Sequence, residues 1–115
     1  MTSELLVKEN HSLRNYNTFN LDTTAKRFIE LTNNEEIEYF IQSEFVKDRI
    51  LILGGGSNLL LQNDFDGIVV HLSNKGIRVI NESTEDVIIE CAAGGIWDDV
   101  VSFCVQNKLY GIENL

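Results

Sequence analysis

Gly54-Gly55-Gly56-Ser57-Asn58 constrains this chain more than any other stretch, because it follows directly on the apolar run Ile50-Leu51-Ile52-Leu53. A short run of that kind, bounded by glycine, reads as a central strand covered on both faces, with the pentapeptide at its carboxyl end. Without Cβ atoms, successive glycines can take positive φ, turn their N–H groups toward one point and let a ligand oxygen approach the main chain. Such a turn suits an anion, phosphate above all. The five residues are equally compatible with a plain tight turn that holds nothing, and taken alone they leave both readings open.

The loop matches neither common nucleotide fingerprint. A phosphate loop of the Walker type ends in Gly-Lys and then Ser or Thr, whereas here Gly56 is followed by Ser57, Asn58 and Leu59. A dinucleotide-binding Gly-x-Gly-x-x-Gly needs a glycine where Leu59 stands and a helix opening there. The chain instead runs on through leucines into Gln62-Asn63-Asp64-Phe65-Asp66-Gly67, a polar, glycine-ended stretch that reads as a turn. A Rossmann turn is therefore not expected.

Charge narrows the partners. With 9 basic against 18 acidic residues among 115, the formal net charge is −9, which opposes DNA, RNA and anionic membrane surfaces. A phosphate bound here would be held by backbone dipoles and a few hydroxyl or amide groups, since Lys47 and Arg49 are the nearest cations in sequence. Hydrophobic residues make up 43% of the chain, yet no apolar run nears the roughly 20 residues of a membrane helix. The start, Met1-Thr2-Ser3-Glu4-Leu5-Leu6-Val7-Lys8, lacks the cationic opening and long apolar middle of a secretory signal, so the cytoplasm is the expected compartment.

Elements alternate between α and β along the chain, without repeats or low-complexity linkers. Residues 25–32 read as the first strand, with Phe28 and Leu31 inward and Arg27 and Glu30 outward. Asn33 then offers an N-cap, with Glu36 as a capping-box partner in variant form, for a helix reaching about Phe45. Its apolar stripe would be Ile37, Phe40, Ile41 and Phe45. After the glycine loop, residues 68–72, 77–80 and 87–92 are β-branched segments expected to form an antiparallel or mixed group. A second helix is expected over about 95–107, with Trp97, Val100, Val101, Cys104 and Val105 on one stripe.

Other candidate chemistry is thin. Cys91 and Cys104 fall on apolar elements and read as buried free thiols. His11 and His71 lie far apart with no cysteine or carboxylate at ligand spacing, so no metal site is expected and a surface or satisfied polar role is assigned to both. Asp98 and Asp99 are neighbours in a helix, which do not face each other, and acids favour the first helical turn, so the pair reads as structural. Trp97 reads as a core aromatic.

Taken together in order and spacing, Asn10-His11-Ser12-Leu13, Asn17-Thr18-Phe19, residues 50–60 with their Gly-Gly-Gly-Ser-Asn, Asp66-Gly67, Gly94 with Trp97, and Gly111-Ile112-Glu113-Asn114-Leu115 carry a resemblance. The chain resembles the amino-terminal part of the UDP-N-acetylenolpyruvoylglucosamine reductase family, flavoenzymes of peptidoglycan precursor synthesis. The resemblance implies an α+β fold of the vanillyl-alcohol-oxidase or PCMH-like FAD-binding type, a mixed sheet with flanking helices. It also implies that Gly54, Gly55, Gly56, Ser57 and Asn58 surround the FAD diphosphate, with Leu53 packed behind. For Asn17 and Thr18 it implies cofactor contact, beside the alternative of a side-chain turn locking the segment before the strand.

By the same resemblance, NADPH reduces the FAD, and the reduced flavin reduces the enolpyruvyl group of a UDP-sugar. Residues 1–20 would be an amino-terminal segment and residues 21–115 part of the FAD-binding domain. The catalytic residues, the rest of the flavin site and the substrate domain are expected beyond Leu115, none within this chain. Two other readings remain at this point: another flavin-dependent oxidoreductase of the same fold, and a non-enzymatic nucleotide-binding module.

Overall fold

The computed structural model describes residues 5–17, 19–54 and 62–113. They form β1 (Val7–Ser12), β2 (Thr24–Leu31), α1 (Asn34–Ile41), β3 (Ile50–Leu53), β4 (Phe65–Leu72), β5 (Ile77–Glu82), β6 (Val87–Cys91) and α2 (Trp97–Gln106), with short 3-10 turns at Arg14–Tyr16 and Glu44–Lys47. A four-stranded sheet runs in the order β1-β2-β4-β3, and β5 and β6 make a separate antiparallel hairpin. Strands β2, β4 and β3 are mutually parallel, while β1 is antiparallel to β2. The sheet is therefore mixed, as expected, but β4 belongs with β2 and β3 rather than with the two strands that follow it.

Two placements differ from the sequence expectation for a physical reason. Strand β3 is not central: it lies at the edge of the sheet beside β4, and Ile52 is 64% exposed while Leu53 is buried. A four-residue apolar run reports burial on at least one side, and its length cannot separate an edge from a centre. The earliest strand is β1, which begins well before residue 25. Its sequence, Val7-Lys8-Glu9-Asn10-His11-Ser12, shows no alternation because mostly exposed residues are held there by pairing with β2.

Helix α1 starts as its sequence dictates. The Asn33 Oδ1 accepts the Glu36 N–H at 2.8 Å, and a Glu36 carboxylate oxygen accepts the N–H and hydroxyl of Thr32 at 2.8 and 2.6 Å. Those bonds, the hydroxyl first, hold the Glu36 carboxyl below its ordinary range. The helix stops at Ile41, short of Phe45, because Ser43 opens a new 3-10 turn by accepting the Phe45 N–H. Ile41 consequently stays exposed, and the apolar face is Ile37 and Phe40 from α1 with Phe45 from the turn, packed on Ile29, Leu31, Ile68 and Val70. The opposite face of the sheet buries Phe28, Leu53 and Val69 under Leu13, with Tyr16 against them.

Asp66-Gly67 is not a turn but the second and third residues of β4. A Cβ on Gly67 would lie 2.6 Å from the Arg49 carbonyl oxygen and 2.8 Å from the Phe65 ring. Glycine inside a strand marks such a close approach, and it lets the Ile68 N–H donate to the Arg49 carbonyl at 2.8 Å, fixing where β3 joins β4.

Candidate functional site

The carboxyl ends of β3 and β4 open onto a cleft of about 650 Å³, walled on one side by Gly54 and His71 and on the other by the approach to α2. That volume falls within the usual range for ligand pockets. Position matters more than size, since ligands of parallel sheets gather outside the carboxyl ends of the strands.

Gly54 directly follows Leu53, which is buried behind it. Its backbone lies outside the left-handed region, where Gly76 and Gly111 fall, and a Cβ built on it would meet no atom of the described residues within 4 Å. Gly54 thus differs from Gly67 and Gly94, where an added Cβ would strike backbone. Among the described residues, packing does not demand glycine at position 54. Gly55, Gly56, Ser57, Asn58 and Thr18 lie outside the described residues.

The far wall is held by three connected contacts. A Cβ on Gly94 would stand 2.5 Å from the Asn74 nitrogen and 2.6 Å from the Ser73 carbonyl carbon. The Gly94 N–H donates to the buried Asn74 Oδ1 at 3.1 Å, and the Lys75 ammonium donates to the Gly94 carbonyl at 2.6 Å. The connection from β4 to β5 is thereby clamped to the residues that lead into α2. Helix α2 has Ile96 at its N-cap with no side-chain cap, and Asp98 and Asp99 occupy its first turn, as acids favour.

Several expectations are corrected here. Trp97 is no core aromatic: it is 47% exposed and lines the cleft, while Val100 and Cys104 are the buried residues of α2. Val105, assigned to the same stripe, is exposed. Cys91 is an exposed free thiol, since the β5–β6 pair is covered too little to bury every apolar position of β6; Cys104 is a buried one. The cations nearest in sequence do not serve the cleft, because Lys47 pairs with Glu44 at 2.9 Å and the Arg49 guanidinium sits over the Phe65 ring. Lys75 lines the cleft instead, from the connection between β4 and β5.

Asn17 is 5% exposed, and its amide is fully engaged by its own loop. The Asn17 Nδ2 donates to the carbonyls of Leu13 at 2.8 Å and Leu21 at 3.2 Å, and its Oδ1 accepts the Leu21 N–H at 3.1 Å. That arrangement locks the segment between β1 and β2. His71, across from Leu53 in the β3–β4 register, has its Nδ1 2.9 Å from a Glu30 carboxylate oxygen. A carboxylate partner for His71 was not expected: Glu30 is distant in sequence and becomes its neighbour only through the parallel register of β2 and β4.

No three His, Cys, Asp or Glu side chains gather at metal-binding distance among the described residues, and none of their helices is long and apolar enough to cross a membrane.

Comparison with known proteins gives a consistent answer. The sequence profile of the FAD binding domain family matches residues 25–115. The UDP-N-acetylenolpyruvoylglucosamine reductase of Bacteroides fragilis strain YCH46 is 38% identical over 109 residues, covering 95% of this chain and 33% of that protein. The enzyme of the same name from Neisseria gonorrhoeae is 46% identical over 110 residues, covering 95% of this chain and 32% of its own length. The chain thus spans about a third of these relatives. Among solved structures, the UDP-N-acetylenolpyruvylglucosamine reductase of Thermus caldophilus superposes with a TM-score of 0.61 at 19% identity, over 96% of this chain and 36% of that one, which shows a shared fold.

Proposed function

Because the chain belongs to the FAD binding domain family, we propose that the cleft at the end of β3 receives the diphosphate of FAD. One observation carries this reading. Gly54 stands on the cleft wall with, among the described residues, no atom in the space where its side chain would be, and its backbone is not left-handed. A main chain left bare in that way admits a phosphate oxygen to its amides. The donor set suits the group: the half-buried Gly54 main chain, the Ser73 hydroxyl and the Lys75 ammonium belong to residues that share the cleft. Gly55, Gly56, Ser57 and Asn58 complete the cradle in this reading, with N–H groups as donors and the Ser57 and Asn58 side chains adding hydrogen bonds. Asn17, whose amide is consumed internally, serves by holding the segment between β1 and β2 in place, and Thr18 contacts the cofactor in this reading.

In this reading the whole protein is an NADPH-dependent oxidoreductase of the cytoplasm that reduces UDP-N-acetylglucosamine enolpyruvate to UDP-N-acetylmuramate for the cell wall. Both curated relatives carry that enzyme's name. FAD, when bound, supplies the hydride relay, and the protein supplies binding and orientation. Residues 1–20 form an amino-terminal segment, residues 21–115 supply the diphosphate end of the flavin site, and the groups that act on substrate come from beyond Leu115.

The test is flavin retention. Full-length protein should purify yellow and bleach on addition of NADPH. Gly55→Val should lose the flavin while the far-ultraviolet circular dichroism stays unchanged. Full flavin occupancy in that variant would defeat the assignment.

A further inference from the structure

A second cavity, of about 610 Å³, lies beside the cleft, where the end of β2 and the start of α1 face the β5–β6 hairpin. Lys75 lines both hollows, so they meet at one residue that carries an ammonium group. Hydrogen-bonding groups in the second cavity outnumber their partners. Asn74 is 9% exposed and its Oδ1 accepts the Gly94 N–H, yet its Nδ2 makes no hydrogen bond among the described residues. The side-chain amide of Asn34, at the first residue of α1, makes none there either. The Arg78 guanidinium is held along one edge, where Nε donates to a Glu90 carboxylate oxygen at 2.8 Å, and its terminal nitrogens have no hydrogen-bond partner among the described residues. Ile77 and Ala92 add apolar surface to the same cavity.

We infer that this second cavity takes the adenosine half of FAD, with Asn34, Asn74 and Arg78 as the residues that select FAD over FMN. This rests on the reading of the adjoining cleft as the diphosphate site. The side chains match the group. An unengaged asparagine amide such as that of Asn34 pairs with the adenine N6–H and N7 together, one donor and one acceptor on each side. The spare Nδ2 of Asn74 supplies a donor for a further ring nitrogen or a ribose oxygen, which removes the cost of leaving it unpaired in a buried residue. A guanidinium fixed along one edge, as Glu90 fixes Arg78, offers a planar face on which a purine stacks.

Charge sorts the two halves of the cofactor. Glu35 and Glu36 open α1 at the rim of the second cavity, and the Arg78 charge there is balanced by Glu90. Those surroundings oppose a phosphate and leave an uncharged nucleoside unaffected. Lys75, common to both hollows, stands in this reading where the uncharged and the anionic parts of the cofactor join.

The experiment is equilibrium dialysis of full-length apoprotein against FAD and, separately, against FMN, which lacks the adenosine. The unaltered protein should prefer FAD. Asn34→Ala and Arg78→Ala should each weaken FAD binding roughly fivefold and leave FMN binding unchanged. Asn74 is kept intact because it also carries the Gly94 clamp. The FAD-to-FMN ratio is taken within each protein, so a general loss of stability in a variant does not imitate the result. Unchanged FAD affinity in both variants, an equal fall for FAD and FMN, or no preference for FAD in the unaltered protein overturns the inference while leaving the diphosphate assignment standing. Failure of the unaltered protein to bind FAD overturns both.

Discussion

Replacing Gly94 with alanine should cost the fold about 3 kcal/mol, and the number follows from the contacts at that residue. The new Cβ would stand 2.5 Å from the Asn74 nitrogen and 2.6 Å from two backbone atoms of Ser73. Non-bonded heavy atoms sit at roughly 3.5 to 4 Å, so the two segments must separate by about 1 Å. All three obstacles are backbone, which no rotamer change can relieve. Overpacking of this kind costs on the order of 1–3 kcal/mol, and the movement also stretches the Gly94–Asn74 and Lys75–Gly94 hydrogen bonds, each contributing about 1 kcal/mol.

Equilibrium urea denaturation measures the cost, and a parallel FAD titration should show weakened binding, because the segment leading into α2 leaves the cleft wall. Gly54→Ala is the matched control. Its Cβ meets no described residue within 4 Å and its backbone is not left-handed, so stability should hold within about 0.5 kcal/mol while FAD affinity falls. A cost below about 1 kcal/mol for Gly94→Ala would refute the close packing of these two segments.

Other perturbations test other joints. Asn17→Ala removes three hydrogen bonds from a buried site and should destabilise by about 3 kcal/mol, measurable in the same denaturation series. Asn33→Ala deletes the cap of α1 and should cost about 1 kcal/mol, with a matching loss of helical circular dichroism. The Glu36 carboxyl is held low by Thr32, so its ionised form favours the folded state. That contribution should be complete above the ordinary carboxylate range and disappear as pH falls through the depressed value, and Thr32→Val should reduce this part of the acid sensitivity.

Local features were legible because they depend on neighbours in sequence. The Asn33 cap with Glu36, the acids opening α2, and the strand over 25–32 all rest on interactions within a few residues, and all stand in the structure within a residue or two at their ends. The site was readable only in part. Gly54 could be singled out because a glycine beside an apolar run alters what the backbone can do. Lys75 and the Glu30–His71 pair could not, since their partners lie 19 and 41 residues away and meet only through strand pairing and the clamp at Gly94.

The chain's own residues thus determine the local elements, an acidic charge that disfavours polyanionic partners, and a glycine-rich stretch of main chain suited to phosphate. Tertiary structure decides that β3 lies at an edge, that Asp66-Gly67 lies inside a strand, and that Trp97 lines a cleft instead of filling a core. The physical reason is the same in each case. Periodicity records whether a residue needs cover, whereas the covering residue is set by register and crossover, which join segments with no local signal connecting them.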